Sequence, residues 1–435
     1  MGCQHRFKKA RGKKMKLSFR SRINTALSLA AISGMLFATT GKADAAEMPV
    51  SPPIGPFHWV GSWAASPQAS NGSGVAQRGF NNQTIRLIVH PHLTGSQIRI
   101  RLSNTFGTQP VTFGKVDVAL QSTGADIEAG SDQQVTFNNG QSSVMIPPGQ
   151  EVWSDPVEFN VEGDQNLAVS IYMPNGTGPV TYHPLASSTN YVFSGEGDHT
   201  SDTSANASTS TMSSWYWLDG VSILSSPSVK GSIVTLGDSI TDGVHSTPDA
   251  NHRWPDYLAD RIEQPGSTLK MSVLDEGINA NRIWQDASPI FGANQNALDR
   301  LDRDVLSQDG VKDVILLEGI NDIGHGNYDP QSVINGMKQI IDRVHAKGLR
   351  IFGGTLTPIG GSKYDNPQAE QTREAVNTWI RTGGAFDGII DFAKATENPN
   401  QPQKILPQYD SGDELHPNDA GYQAMANAID LKILK

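Results

Sequence analysis

The sequence predicts an α/β fold, a flavodoxin-like doubly wound parallel sheet, preceded by an all-β sandwich or jelly-roll domain. Three observations carry this expectation. From Phe57 to about Leu224, short runs rich in Val, Ile and Thr recur with no helix-period segment between them, the pattern of a sandwich or jelly roll. From about residue 231 the rhythm changes to apolar strands alternating with helical segments, which builds a parallel sheet with helical crossovers. Between them lies a short polar stretch, Ser225–Gly231, that reads as a linker. The expected division is therefore an accessory β-domain over residues 50–225 and a second domain over residues 231–435.

The N-terminus stands apart from both. Nine Lys and Arg residues between Arg6 and Arg22 precede an apolar run from Ala26 to Thr40, and Ala43-Asp-Ala45 follows as a small-x-small cleavage pattern. This order reads as a secretory signal peptide over residues 1–45, too short in its apolar part to span a bilayer. Residues 1–45 hold ten Lys/Arg against one acid, so their removal takes the formal net charge from −10 to −19. A surface of that sign repels phosphate backbones and anionic lipid, which argues against nucleic-acid and membrane-surface partners. The one cysteine, Cys3, leaves with the same segment. No disulfide is then expected, and stability rests on the size of the core. The expected location is outside the cytoplasm, periplasmic or extracellular, with no membrane insertion after cleavage.

In the first half, Gln83–His90, Gln97–Ser103, Pro110–Gln121, Val135–Phe137, Ser143–Ile146, Asn166–Met173 and Trp215–Leu224 read as strands. Gln97-Ile-Arg-Ile-Arg-Leu-Ser103 alternates strictly, so Arg99 and Arg101 are expected to face outward. Residues 195–214 read as a polar loop. His90-Pro-His92 brings two imidazoles together, but no third ligand is near in sequence, so the pair reads as the end of a strand and no metal is expected. Trp59, Trp63, Trp215 and Trp217 suit core packing better than a sugar-stacking platform.

In the second half, strands are expected at Ile233–Leu236, Met271–Leu274, Val314–Leu317, Arg350–Thr355 and Gly388–Asp391. Helices are expected at Arg253–Gln264, Ala293–Ser307, Gln331–Lys347 and from about Asp419 to Leu434. In the third of these, Val333, Ile334, Met337, Ile340, Ile341 and Val344 form a helix-period stripe. Asp329-Pro330 opens that helix and Gly348 closes it.

Four polar stretches each follow an expected strand. Gly237-Asp-Ser239 follows the first, Asp275 to Arg282 the second, Glu318-Gly-Ile-Asn-Asp322 the third, and Asp413-Glu-Leu-His-Pro417 lies beyond the last. In an open parallel sheet all four reach the same edge, where ligands bind. A serine hydroxyl is a poor nucleophile unless a base, usually His oriented by a carboxylate, lies within hydrogen-bond reach, and its reaction needs donors for the developing oxyanion. Ser239, His416, Asp413 and Asn321 supply those types. Asp238 and Ser239 also suit simple capping of the next helix, Asp413 the capping of a turn, and His416-Pro417 an ordinary helix entry. The chain contains no G-x-S-x-G, P-loop or H-E-x-x-H pattern, so neither an α/β-hydrolase elbow nor a cofactor is expected.

These stretches resemble the SGNH (GDSL) hydrolase superfamily over roughly residues 231–435. Gly237-Asp-Ser-Ile240 looks like its nucleophile block, Gly319-Ile-Asn-Asp322 like its G-x-N-D block, and Asp413-x-x-His416 like its last. The first half also looks like the β-domain that precedes the hydrolase in some exported bacterial relatives. The resemblance implies the SGNH hydrolase fold, with Ser239 as nucleophile, His416 as base and acid, and Asp413 as its orienter. The oxyanion donors would be Asn321 and the backbone N–H groups of Ser239 and Ala280, with Gly277 as the alternative to Ala280. This chain departs from the family at that point, because relatives carry glycine where Ala280 stands. Alanine keeps the N–H at negative φ, but it is strained if the turn demands positive φ.

The expected function is an exported serine esterase acting on carboxylic esters, of short acyl or acetyl groups on small molecules or polysaccharide, without metal or cofactor. The alternative is a secreted glycan-binding protein whose hydrolase domain is a non-catalytic scaffold.

Overall fold

The computed structural model describes residues 57–434 apart from 71, 206–208 and 287–294; the expected signal peptide lies outside the described residues, as does the first part of the expected helix Ala293–Ser307. The two larger sheets built by the described residues of 58–225 are antiparallel. In one, β1 (His58–Ala64) is hydrogen-bonded to the returning strand Leu218–Ser225, which pairs with Gly95–Ser103. In the other, β2 (Gln83–Val89) pairs with Leu167–Met173, which pairs with Lys115–Thr123. Apolar residues of both sheets, among them Val60, Ile98, Ile100, Leu102, Ile85, Leu87, Val116 and Val169, share one buried cluster.

The alternation of Gln97–Ser103 puts Ile98, Ile100 and Leu102 in that core, each at most 1% exposed. Its other face is not solvent, and there the expectation fails. Arg101 is 3% exposed and its Nε donates to Asp219 Oδ1 at 2.8 Å. Arg99 donates to Asp309 Oδ2 at 2.6 Å. Period-2 patterning marks which residues share a face, but not what covers the second face. Trp63, Trp215 and Trp217 are buried, with Trp63 and Trp215 edge to face at 4.9 Å, so they are core residues and present no stacking platform. The segment expected as a loop at 195–214 contains a strand, Ser210–Met212, which pairs with Asn190–Val192 on the edge of the second sheet.

The second half is a five-stranded sheet. Its strands are β3 (Gly231–Gly237), β4 (Met271–Gly277), β5 (Val311–Leu317), β6 (Arg350–Gly354) and β7 (Gly388–Ile390), in the order β4-β3-β5-β6-β7. Every pairing in it is parallel. The strands read as unbroken apolar runs because both faces are covered. Ile233, Val234, Leu236, Val314, Ile315 and Ile351 are at most 0% exposed. Chain order reverses direction at β3, whose neighbours are β4 and β5, and its C-terminal end is the switch point where such sheets bind ligands.

The helices that matter to the site are α1 (Ser239–Asp242), α2 (Trp254–Glu263), α3 (Ile320–Gly324), α4 (Pro330–Ala346), α5 (Pro367–Thr382) and α6 (Asp419–Asn427). Helix α4 starts as its sequence predicts, with the Asp329 carboxylate accepting from Gln331 N at 3.0 Å. Helix α5 was not singled out by sequence; Asn366 caps it and Pro367 opens it. Helix α6 ends at Asn427 rather than near Leu434, and Ile429 and Leu434 then turn into the core. The expected helix at 293–307 is a short α-turn, Ala297–Leu301, running into a π-helical turn, Asp302–Leu306. Among the described residues no helix is long and apolar enough to cross a membrane.

Pro53–Lys435 is one compact unit, and the β-rich half meets the α/β sheet along β1. Gly61 N donates to Asp309 O at 2.9 Å, and Ser272 Oγ donates to Gly61 O. A Cβ on Gly61 would lie 2.8 Å from Leu274 Cδ1, so any larger residue in this strand would have to displace the Leu274 side chain. Farther along, Ser66 Oγ donates to Glu276 Oε2 at 2.5 Å. The β-rich half is thus packed against the strand ends that carry the site.

Candidate active site

The turn after β3 is a capped helix start and a serine mount at once. Asp238 has an extended backbone, and its carboxylate accepts from Ile240 N at 2.9 Å, which makes it the N-cap of α1. Ser239 is the next residue, the first of the helix. Gly243 closes α1 in the left-handed conformation, at φ 84°. The turn presses so closely on β4 that a Cβ on Gly277 would lie 2.2 Å from Asp242 N.

His416 reaches Ser239 from the other end of the chain. Ser239 Oγ and His416 Nε2 are 2.9 Å apart. On the other side of the ring, His416 Nδ1 and Asp413 Oδ2 are 2.6 Å apart. Asp413 Oδ1 also accepts from the backbone N–H of His416 at 2.8 Å and of Leu415 at 3.0 Å. Carboxylate and imidazole are therefore locked within one turn. Burial disfavours the charge on Asp413, but the backbone N–H and ring of His416 outweigh it and hold the carboxyl at about 2. An ionised Asp413 fixes the proton on Nδ1 and leaves the lone pair of Nε2 toward Ser239. Burial also lowers His416 below its ordinary value, against the pull of Asp413, so the ring is neutral at pH 7 and ready to accept a proton.

The expected donors fall as follows. The backbone N–H of Ser239 and that of Ala280 bond to no acceptor among the described residues. Gly277 does not offer its N–H, which donates to Asp275 Oδ1 at 2.9 Å; of the two alternatives the free donor is Ala280. Ala280 has φ 61°. The turn does demand the left-handed region, so its alanine carries the strain foreseen for positive φ. Asn321, on α3, donates one Nδ2 hydrogen to Asn281 O at 3.0 Å, and its Oδ1 accepts from the Tyr364 hydroxyl at 2.8 Å. Those two bonds fix which end of the amide is nitrogen and leave its second N–H uncommitted.

Several supporting residues escaped sequence reasoning. Asp242 is 1% exposed. It accepts from Asn279 N at 2.8 Å and from His183 Nε2 at 3.0 Å, tying the Ala280 turn to the β-rich half. Arg300 is fully buried and donates to Gly237 O, Glu276 O, Ser66 Oγ, Asn281 Oδ1 and Asp304 Oδ2, over 2.8–3.1 Å. One guanidinium thereby holds the ends of β3 and β4 and the turn between Ile278 and Asn281. His245 stands beside the triad, with its Nε2 3.6 Å from Asp413 Oδ2 and its ring 5.6 Å from that of His416. No motif spacing marks these residues; they act through tertiary contact.

No curated protein matches this chain. Among solved structures the chain is similar to a member of the lipolytic protein G-D-S-L family from Veillonella parvula DSM 2008, at 22% identity over 45% of this chain and 94% of that one, with a TM-score of 0.35. It is similar to the acetyl xylan esterase AlAXEase at 20% identity, over 45% of this chain and 96% of that one, with a TM-score of 0.35. It is also similar to Est24, a carbohydrate acetylesterase from Sinorhizobium meliloti, at 16% identity over 45% of this chain and 95% of that one, with a TM-score of 0.35. The GDSL-like Lipase/Acylhydrolase family model matches residues 235–424, a span that runs from β3 through Ser239, Asn321, Asp413 and His416 into α6. Residues 235–424 are thus similar to the GDSL-like Lipase/Acylhydrolase family.

Proposed function

We propose that this protein is an exported serine esterase that hydrolyses carboxylic esters of short acyl groups, including acetyl groups on polysaccharide, through an acyl-enzyme. The observation that carries the reading is the unbroken relay from Ser239 Oγ through His416 to Asp413, at 2.9 and 2.6 Å. In this reading residues 231–435 are the catalytic domain and residues 50–225 the accessory one. Residues 1–45 direct export, to the periplasm or the medium.

Ser239 Oγ attacks the ester carbonyl carbon while His416 Nε2 takes its proton. The ionised Asp413 stabilises the imidazolium that forms. The carbonyl oxygen, now negative, accepts hydrogen bonds from the N–H groups of Ser239 and Ala280 and the uncommitted N–H of Asn321. Collapse breaks the bond to the alcohol, which leaves with the proton from His416. A water molecule, deprotonated by His416, then attacks the acyl-serine, and the acid departs as the proton returns to Ser239 Oγ. A cavity of about 400 Å³ lies beside Asp322, lined by Arg282, Gln285, His325 and Asn327 among others.

The test is hydrolysis of p-nitrophenyl acetate by the wild type and by Ser239→Ala. Loss of the nucleophile is expected to lower kcat by about 10,000-fold or more. Equal rates, with no labelling of Ser239 by a fluorophosphonate, would return the protein to a non-catalytic scaffold.

A further inference from the structure

His90 and His92 follow strand β2 with two imidazoles, and the fold brings them a third donor that sequence spacing did not offer. Asp164 lies in the turn before Leu167–Met173, at φ 65°. One donor atom from each of His90, His92 and Asp164 lies within 4.8 Å of the other two. His90 Nε2 is 3.6 Å from Asp164 Oδ1, and His92 Nδ1 is 3.7 Å from Glu263 Oε1, at the end of α2. Both separations are too long for hydrogen bonds. They match two ligands of one ion: zinc bonds of about 2.0–2.1 Å in tetrahedral geometry set neighbouring ligands about 3.4 Å apart.

Three further observations point the same way. His90 Nδ1 lies 2.7 Å from Asn166 Oδ1, and the Asn166 amide is oriented by donating from Nδ2 to Gln121 Oε1 at 2.8 Å. An acceptor at Nδ1 places the ring proton there and turns the lone pair of Nε2 toward Asp164, as the supporting residues of metal-bound histidines do. His92 is 7% exposed, and its Nδ1 and the facing Glu263 Oε1 are both buried without a hydrogen-bond partner among the described residues. A cavity of about 770 Å³, lined in part by His92, Asp164 and Glu263, gives an ion a way in.

We propose that His90, His92 and Asp164 bind a divalent transition-metal ion, with Glu263, which faces His92 from outside their cluster, moving in as the fourth ligand. Two imidazoles and two carboxylates are the ligand class of zinc. The ion joins the β-rich half to the end of α2, on residues separate from the Ser239 relay, and clamps the two halves of the molecule.

The test is zinc binding to the full chain, by titration calorimetry and by the shift of thermal unfolding, in the wild type, Asp164→Asn and His92→Ala. His245, Asp413 and His416 also bring donor atoms within 4.8 Å of one another, so a zinc ion held at the triad must be told apart. The expected result is one zinc per chain, raised thermal stability with zinc, and binding at least about ten-fold weaker in both variants. The metal-free esterase rate of Asp164→Asn should equal that of the wild type. Asp164 is half exposed, so its Asn variant keeps the test sound should His92→Ala fail to fold. No zinc bound, or equal affinity in wild type and Asp164→Asn, overturns the proposal.

Discussion

Replacing Ala280 by glycine isolates what the turn after β4 demands. At φ 61° the alanine Cβ crowds its own backbone, at a cost of about 1–2 kcal/mol. Glycine removes that strain but loosens the unfolded chain, which costs about 0.4–1 kcal/mol. Ala280 is only partly buried, so its methyl contributes little hydrophobic energy. The difference favours Ala280→Gly by about 0.5–1 kcal/mol, a rise in unfolding midpoint of about 1–2 °C for a chain this long. Urea unfolding at constant slope measures the gain directly. Ala280→Val provides the opposite arm. A β-branched side chain at positive φ should destabilise by about 1–3 kcal/mol. The backbone N–H survives both changes, so kcat/KM of Ala280→Gly for p-nitrophenyl acetate should stay within about three-fold of the wild type. A less stable Ala280→Gly protein, or a ten-fold loss of kcat/KM, would refute the idea that this position supplies a backbone donor held under strain.

Two other substitutions probe the neighbours of the relay. His416 is lowered first by burial and further by His245 and Lys363, against the raising effect of Asp413. His245→Asn removes that lowering influence, so the His416 pKa rises. Since the base must be neutral, activity appears as pH climbs through that pKa, and the acid limb of the pH–rate profile should move to higher pH. An unmoved or downward-shifted limb would exclude His245 from the electrostatics of the site. Tyr364→Phe deletes the donor to Asn321 Oδ1 while leaving Asn321 in place. It should lower kcat by about ten-fold with little change in KM, because an oxyanion donor is worth most in the transition state; an equal rise in KM would instead mean that Tyr364 shapes substrate binding.

The strands of the α/β half were the most legible part of the fold. Apolar runs such as Ile233–Leu236 and Val314–Leu317 are bounded by Gly and acidic residues, and burial on both faces leaves no other pattern. The polar ends of those strands announced Ser239, Asn321, Asp413 and His416 as a set, because a parallel sheet sends every strand end to one edge. Arg101 was misread for a related reason. Alternation shows that it shares a face with Arg99, and only the packing of Asp219 and Asp309 against that face decides that it is buried and paired. The strand Ser210–Met212 hides in a Ser/Thr-rich stretch because an edge strand needs a partner's hydrogen bonds more than apolar side chains.

What the sequence determined by itself was therefore the order of most elements and the residue types gathered at the candidate site, since both are written in local patterns: apolar period, caps and the residue types a nucleophilic serine requires. What the tertiary structure decided was every property that depends on a partner distant in the chain. It made the Ala280 turn left-handed and committed the Gly277 N–H to Asp275, leaving Ala280 free. It tied that turn through Asp242 to His183 and through Arg300 to Ser66, so the β-rich half supports the sheet edge that carries Ser239. It also carried Asp164 and Glu263 to the two histidines that follow β2. Spacing along the chain fixes which residues are neighbours within an element, whereas the burial, charge state and ligand sets of side chains are set by packing between elements, and sequence separation does not encode that packing.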